Sequence, residues 1–306
     1  MPDFPLATAL AVGTVVLDGG LATQLEAQGH DLSSALWSAR LLHDDPEAVV
    51  AAHAAFAAAG AQVATTASYQ VSVEGLAAAG LDAAEARRLV VRSVHLAERG
   101  APEAWVAGSV GPYGAALADG SEYTGDYADE IGVEGLRQWH RPRMEWLADA
   151  GADVLACETV PAAAEAEALL AEADMLGVPV WLSLTTVVDG DGVVRTRRGE
   201  PAREVFAMAR DVDAVVAVGV NCTDPDGVLA AVGAATASGR PVVVYPNSGE
   251  RWDAAARRWA GTAGISPAGA LGWVDAGARL VGGCCRVGPA DIAGLAATLA
   301  VDDQLS

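Results

Sequence analysis

Ala214-Val215-Val216-Ala217-Val218-Gly219-Val220-Asn221-Cys222 is a short apolar run that stops on an amide and a thiol. The pattern recurs along the chain. Val15-Val16-Leu17 stops at Asp18, Gln62-Val63-Ala64 at Thr65-Thr66, and Asp153-Val154-Leu155-Ala156-Cys157 at Glu158-Thr159. Val242-Val243-Val244-Tyr245 stops at Pro246-Asn247, and Leu280-Val281 at Gly282-Gly283-Cys284-Cys285. With Trp105 to Ser109 and Val178 to Thr186, there are eight such runs in 306 residues. Ala-rich segments of helical period alternate with them. Strands alternating with helices predict a parallel sheet with crossover helices, and eight repeats in this length predict an α/β chain folded as a (β/α)8 TIM barrel. The competing open, doubly wound sheet lacks its Gly-x-Gly-x-x-Gly fingerprint, because Asp18-Gly19-Gly20-Leu21-Ala22-Thr23 does not fit it. No linker-like shift in composition interrupts the chain, so residues 1–306 are expected to form a single catalytic domain.

Between the runs, helices are expected near 46–60, 82–99, 136–150, 162–176, 200–210, 226–238, 267–276 and 291–299, with Pro46 following a plausible start at His43-Asp44-Asp45. The Gly-, Tyr- and Asp-rich stretch from Gly111 to about Gly135 carries no strong period. It reads as a long loop with short helical turns, and loops of that length are often lids or binding loops.

Composition excludes several functions. The 19 basic residues are all arginine, so Schiff-base chemistry at a lysine and a Gly-Lys phosphate loop are both ruled out. Forty acidic residues give a net charge of −21, opposite to the basic face of a nucleic-acid binder. No run approaches the ~20 apolar residues of a membrane span, and Met1 to Pro5 lacks a basic leader segment. A cytoplasmic protein is expected, with its four cysteines reduced.

In such a barrel the active site lies at the C-terminal ends of the strands. Those ends carry Asp18, Thr65, Thr66, Ser109, Glu158, Thr185, Asn221, Cys222, Asn247, Cys284 and Cys285. Three thiolates meeting there would suit a zinc ion with one open position. Each cysteine also has a plainer reading as a small buried hydrophobe, which fits Cys157 well. Adjacent residues on a strand point to opposite faces, so Cys284 and Cys285 can share an ion only if the backbone bends, with Gly282-Gly283 expected to supply that freedom. Asp18 can cap a turn and Glu158 a helix; near a zinc they can instead bind an ammonium group, with the N–H groups around Gly19-Gly20 suited to a carboxylate. No histidine falls at a strand end, and all five are read as structural or solvated.

The chain resembles the homocysteine S-methyltransferases. The resemblance rests on Asp18-Gly19-Gly20-Leu21-Ala22-Thr23-Gln24-Leu25-Glu26, Leu36-Trp37-Ser38-Ala39, Thr66-Ala67-Ser68-Tyr69-Gln70 and Gly108-Ser109-Val110-Gly111-Pro112-Tyr113-Gly114. It continues through Cys157-Glu158-Thr159, Gly219-Val220-Asn221-Cys222-Thr223, Tyr245-Pro246-Asn247-Ser248-Gly249-Glu250 and Gly282-Gly283-Cys284-Cys285-Arg286. It implies a zinc-dependent barrel enzyme that methylates homocysteine to methionine. Cys222, Cys284 and Cys285 would hold the metal, with Cys157 outside the ligand set. Asp18 and Glu158 would hold the amino group of homocysteine, and Gly19 and Thr65 its carboxylate. Asn221 would line the substrate pocket, and Trp37 and Tyr69 the methyl-donor side. Among sulfonium donors the segments look most like the S-methylmethionine branch, with S-adenosylmethionine next. The rival expectations are another acceptor, such as selenocysteine, and a non-enzymatic cysteine redox switch.

Overall fold

The computed structural model describes residues 2, 4–32, 37–77, 80, 82–253, 258–260 and 264–302, with backbone alone for residues 37–40, 251–253, 258–260, 301 and 302. The eight runs form eight parallel strands: β1 Val15–Val16, β2 Val63–Thr65, β3 Trp105–Val110, β4 Val154–Val160, β5 Val180–Leu184, β6 Val215–Asn221, β7 Val242–Tyr245 and β8 Ala278–Val281. Each pairs with its sequence neighbour, and β8 pairs with β1. The seam between β1 and β2 closes through a parallel bridge from Leu17 to Val63 and a 2.8 Å bond from Gln62 N to Val16 O. The result is the (β/α)8 barrel expected.

Two apolar layers hold it. Inside the barrel, Leu17, Val63, Ala107, Ala156, Trp181, Val243 and Leu280 fill the axis. Helix Leu6–Val12 plugs the bottom with Leu6, Ala9 and Leu10. Outside, alternate strand residues such as Val106, Leu155, Leu182, Val218 and Val244 pack under the helices. Strands covered on both faces read as continuous apolar runs, which is why they stand out in the sequence.

The helices differ from expectation mainly at their ends. Helix Ala128–Asp149 begins about two turns before 136, because the chain passes through Gly132 at φ 68° and resumes. Gly132 is non-helical (φ 68°, ψ 169°) and divides the stretch into a short first turn and the main helix, which is why the hydrophobic period starts only after it. The 111–135 stretch holds helix Tyr113–Leu117 and a 3-10 turn Ser121–Tyr123. Residues 189–192 form the tip of an antiparallel ribbon between Thr186–Val188 and Val194–Thr196. Helices Leu6–Val12, Leu21–Ala27 and Val73–Ala77 add to the expected set; all are short, so few residues display a period. No described helix is long and apolar enough to cross a membrane.

Candidate active site

Strand ends converge on a cavity of about 150 Å³ at the C-terminal mouth, lined by Asp18, Thr65, Ser109, Tyr69, Glu158, Asn221 and the three cysteines Cys222, Cys284 and Cys285, whereas Thr185 and Asn247 are not among its described lining. The sulfurs of Cys222 and Cys285 lie 3.8 Å apart, and those of Cys284 and Cys285 3.9 Å; all three fall within 4.8 Å of one another. Four ligands about 2.3 Å from a tetrahedral zinc stand about 3.8 Å from each other. The Cys222–Cys285 and Cys284–Cys285 spacings match that figure, so the cluster suits a zinc-sized ion. Without a metal, sulfur hydrogen bonds from Cys222 and Cys284 hold the Cys285 thiol well below its ordinary range.

The bend that brings Cys284 and Cys285 together is not made by glycine freedom, which corrects the sequence reading. Gly282 and Gly283 are absent from the left-handed residues, whereas Arg286 has φ 64° and Cys222 φ 47°. The glycines are required by space. A Cβ on Gly283 would lie 2.2 Å from Val287 Cγ1, and one on Gly282 2.6 Å from Asp18 O. The turn is then fixed from outside. Cys284 N donates to Pro246 O (2.8 Å), Cys285 N to Asn247 Oδ1 (3.2 Å) and Arg286 N to Thr23 Oγ1 (2.9 Å). Left-handed backbone at non-glycine residues costs roughly 1–3 kcal/mol and persists only where neighbours over-determine it.

Asp18 is buried, with one carboxyl oxygen accepting from Thr65 N (2.7 Å) and the other from Thr65 Oγ1 (2.8 Å). Burial pushes its carboxyl up to about 7, against the Thr65 hydrogen bonds and with a further push from Glu158. Glu158 accepts from Ser109 Oγ, and burial pushes it up to about 7 as well. Neither acid caps a turn or a helix. Both donors of Thr65 are spent on Asp18, so Thr65 orients that acid. Gly20 N is taken by Val287 O (2.9 Å), while Gly19 N has no partner among the described residues.

Glu158 reaches the mouth because β4 is irregular there. Its register with β5 slips between Cys157 and Val160, and Thr159 takes φ 58°. A bulge of this kind re-aims the side chains beside it. Cys157, one residue earlier, stays in the outer apolar layer, where burial raises its thiol to about 12. Asn221 is buried and spends its amide inside the protein: Oδ1 accepts from Thr159 N and Ser183 Oγ, and Nδ2 donates to Thr159 Oγ1, each at 2.7 Å.

Tyr69 lines the cavity, with its backbone carbonyl accepting from Arg143 Nη1 (3.2 Å). Trp37 opens the helix Trp37–Asp44, and its side chain lies outside the described residues. The 111–135 stretch adds Glu122 and Tyr123 to the wall. Only its tyrosine and acid content hints at that role in the sequence. Behind it lies a buried set that no linear pattern reveals. His140 Nε2 meets Glu165 Oε1 (2.9 Å), Tyr127 donates to Glu165 Oε2 (2.5 Å), and Arg143 Nη2 contacts His140 Nδ1 (3.0 Å) and donates to Gly111 O (2.6 Å). His140 is not among the described residues of the cavity wall. His53 is likewise buried, and burial lowers its pKa to about 4.

Among the described residues the cavity wall holds three carboxyl groups and three thiols but no lysine, arginine or histidine. It is built to take cations. Fold and site together define a barrel enzyme acting on a small molecule at a thiol-and-carboxyl pocket on the C-terminal rim. The family model for homocysteine S-methyltransferase matches residues 15–299, and the chain belongs to that family of methyltransferases. It is 45% identical to homocysteine S-methyltransferase of Escherichia coli K12 over 92% of this chain and 94% of that one. It is 38% identical to a selenocysteine Se-methyltransferase of Brassica oleracea var. italica, over 92% of this chain and 87% of the relative. The crystal structure of the metallated homocysteine methyltransferase MmuM from Escherichia coli superposes with a TM-score of 0.83 at 42% identity, covering 96% of this chain and 99% of that one.

Proposed function

We propose that the chain is one catalytic domain that transfers a methyl group from a sulfonium donor, S-methylmethionine first and S-adenosylmethionine next, to the sulfur of L-homocysteine, giving methionine. The observation that carries this is the placement of three sulfurs at zinc spacing in the same cavity as two buried carboxyls. Cys222, Cys284 and Cys285 would hold zinc, which when bound supplies one thing: it converts the incoming homocysteine thiol to a thiolate at neutral pH.

The chain's own residues do the rest. Asp18 and Glu158 receive the substrate ammonium, whose charge offsets the burial that raises the pKa of both acids. The free N–H of Gly19 suits the substrate carboxylate. Thr65 and Ser109 orient the two acids, and Asn221 fixes the bulge that aims Glu158. Tyr69 and Tyr123 line the same cavity and offer aromatic rings of the kind that attract a sulfonium cation. The methyl carbon forms a bond to the homocysteine sulfur as its bond to the donor sulfur breaks. The donor sulfur keeps that electron pair, so a thiolate and a sulfonium become two neutral thioethers. Loss of both charges favours a pocket that excludes water, and no general base is required.

The test is methionine formation from homocysteine with a panel of S-methylmethionine, S-adenosylmethionine and betaine, with metal content measured on the same protein. About one zinc per chain and turnover with a sulfonium are expected. Absence of turnover with every sulfonium overturns the reading. A second acceptor, selenocysteine, is favoured by the similarity to the Brassica enzyme and belongs in the same assay. Reversible oxidation of the cysteine cluster, with no metal in the reduced protein, would favour the redox-switch reading instead.

A further inference from the structure

A second cavity, of about 570 Å³, adjoins the first, and Cys222 stands in the walls of both. It is formed by the ribbon after β5, the loops after β6 and β7, and the side chain of Arg197. Arg197 is half-buried. Its Nε donates to Thr185 Oγ1 (3.3 Å), whose hydroxyl in turn donates to Cys222 O (3.3 Å). Its guanidinium carbon lies 5.8 Å from the centroid of the Tyr123 ring, and Tyr123 lines the first cavity. The cation therefore sits at the junction of the two spaces, within two hydrogen bonds of the cysteine cluster.

Arg197 has no carboxylate partner among the described residues. Its neighbours all have one: Arg195 pairs with Asp189, Arg198 with Asp126 and Asp129, and Arg286 with Glu250. Asp224, Asp226 and Glu250 line the same cavity, yet none of them pairs with Arg197 among the described residues, so in a chain with 40 acids and 19 arginines its guanidinium is left for a partner from outside. The two Nη groups have no acceptor among the described residues and remain available as a fork for a carboxylate. Among the described residues the first cavity has no basic side chain in its wall, so Arg197 is the described guanidinium nearest to a second carboxylate brought to this site. In the wall of the first cavity, Glu122 Oε2 is buried without a hydrogen-bond partner among the described residues, a complement for positive charge on the same molecule.

We infer that Arg197 binds the carboxylate of the methyl donor, so that the enzyme selects an amino-acid sulfonium rather than any sulfonium. This rests on the sulfonium-donor reading above. A fork that instead served the carboxylate of homocysteine would show its loss in the KM for homocysteine, and the experiment separates the two.

The measurement is kcat/KM with S-methylmethionine and with its carboxamide, at saturating homocysteine, for the wild type, Arg197→Gln and Arg197→Lys. A charge-assisted bond of this kind predicts a preference for the acid over the amide of about 10- to 100-fold in the wild type. In Arg197→Gln that preference should collapse towards one through loss of the acid alone, with the KM for homocysteine unchanged within about twofold, and Arg197→Lys should recover part of it. A wild type that uses acid and amide equally overturns the inference without any variant. So does a preference that survives in Arg197→Gln, or a loss that appears in the KM for homocysteine instead. If the wild type turns over with no sulfonium donor at all, the donor reading falls and this inference falls with it.

Discussion

Asn221 holds Thr159 at both ends: its side-chain oxygen accepts from Thr159 N and its amide nitrogen donates to Thr159 Oγ1, each at 2.7 Å. Thr159 is thereby kept at φ 58°, in a slip of β4 that turns Glu158 into the cavity. The asparagine beside the first cysteine thus acts on the opposite wall of the site. Asn221→Ala removes three buried hydrogen bonds and leaves Thr159 N without a partner. Net losses of about 0.5–1.5 kcal/mol per bond, more where a donor is stranded, predict a destabilisation of roughly 2–4 kcal/mol. Urea unfolding should show that loss. Homocysteine KM should rise along with it, because Glu158 is released, while metal content stays near wild type.

Cys285 lies at the centre of the sulfur cluster, in contact with both Cys222 and Cys284. Cys285→Ser should retain the barrel, since no strand depends on its side chain. It should lose bound zinc and with it methyl transfer, by at least about 1000-fold if thiolate formation is the main contribution of the site. Metal analysis and circular dichroism on one preparation would check both halves. Chelation of the wild type should produce the same loss, restored by added zinc.

Asp18 and Glu158 carry opposite demands for folding and for function. Burial raises both carboxyls to about 7, whereas carboxylates in an unfolded chain titrate near ~4. Between those values the folded, metal-free protein holds protons the unfolded chain has released. Its stability therefore falls as pH rises from about 4 to about 7 and levels off above that. A tenfold change in proton affinity is worth about 1.4 kcal/mol, so either acid costs roughly 2–4 kcal/mol of stability at pH 8. Glu158→Gln keeps the shape and an acceptor for Ser109, so it should stabilise the metal-free protein at pH 8 by about 1–3 kcal/mol and flatten the pH dependence. The same change should weaken homocysteine binding by about 10- to 100-fold, the loss of one charge-assisted bond. Denaturant titrations at pH 5 and pH 8, with substrate titration at pH 8, would show whether the two effects oppose.

Gly283 is set against Val287, with 2.2 Å between a notional Cβ and Val287 Cγ1. Gly283→Ala should displace the turn that carries Cys284 and Cys285, lowering zinc affinity and stability together. The double variant Gly283→Ala/Val287→Ala removes the collision and should recover much of the metal binding. A single variant with wild-type zinc affinity would show that the close approach does not set the ligand geometry.

Arg143 is buried beneath the mouth, donating to Gly111 O and Tyr69 O. Arg143→Met leaves two carbonyls and His140 without that partner, and truncating one member of a buried charged network costs about 3–5 kcal/mol. Thermal unfolding should reveal the loss, and activity at low temperature should fall less than stability.

Much of this protein is written locally in its sequence. Strands buried on both faces must be apolar throughout, so Ala214 to Val220 and its seven counterparts announce the barrel, and their polar ends announce the rim. The cysteines Cys222, Cys284 and Cys285 are legible for the same reason: each follows a strand. What the sequence does not show depends on contacts across the barrel. The left-handed turns at Thr159, Cys222 and Arg286 are held by Asn221, Tyr245, Thr23 and other groups distant in the chain. The glycines before the cysteines read as hinges, yet they answer to Val287 and Asp18, which only the closed fold brings against them. The raised pKa values of Asp18 and Glu158, the plug at the base of the barrel and the lack of a carboxylate for Arg197 among the described residues follow from burial and placement. A linear pattern fixes which residues face inward; which of them lose water, and what remains within reach to replace it, is decided only when the barrel closes.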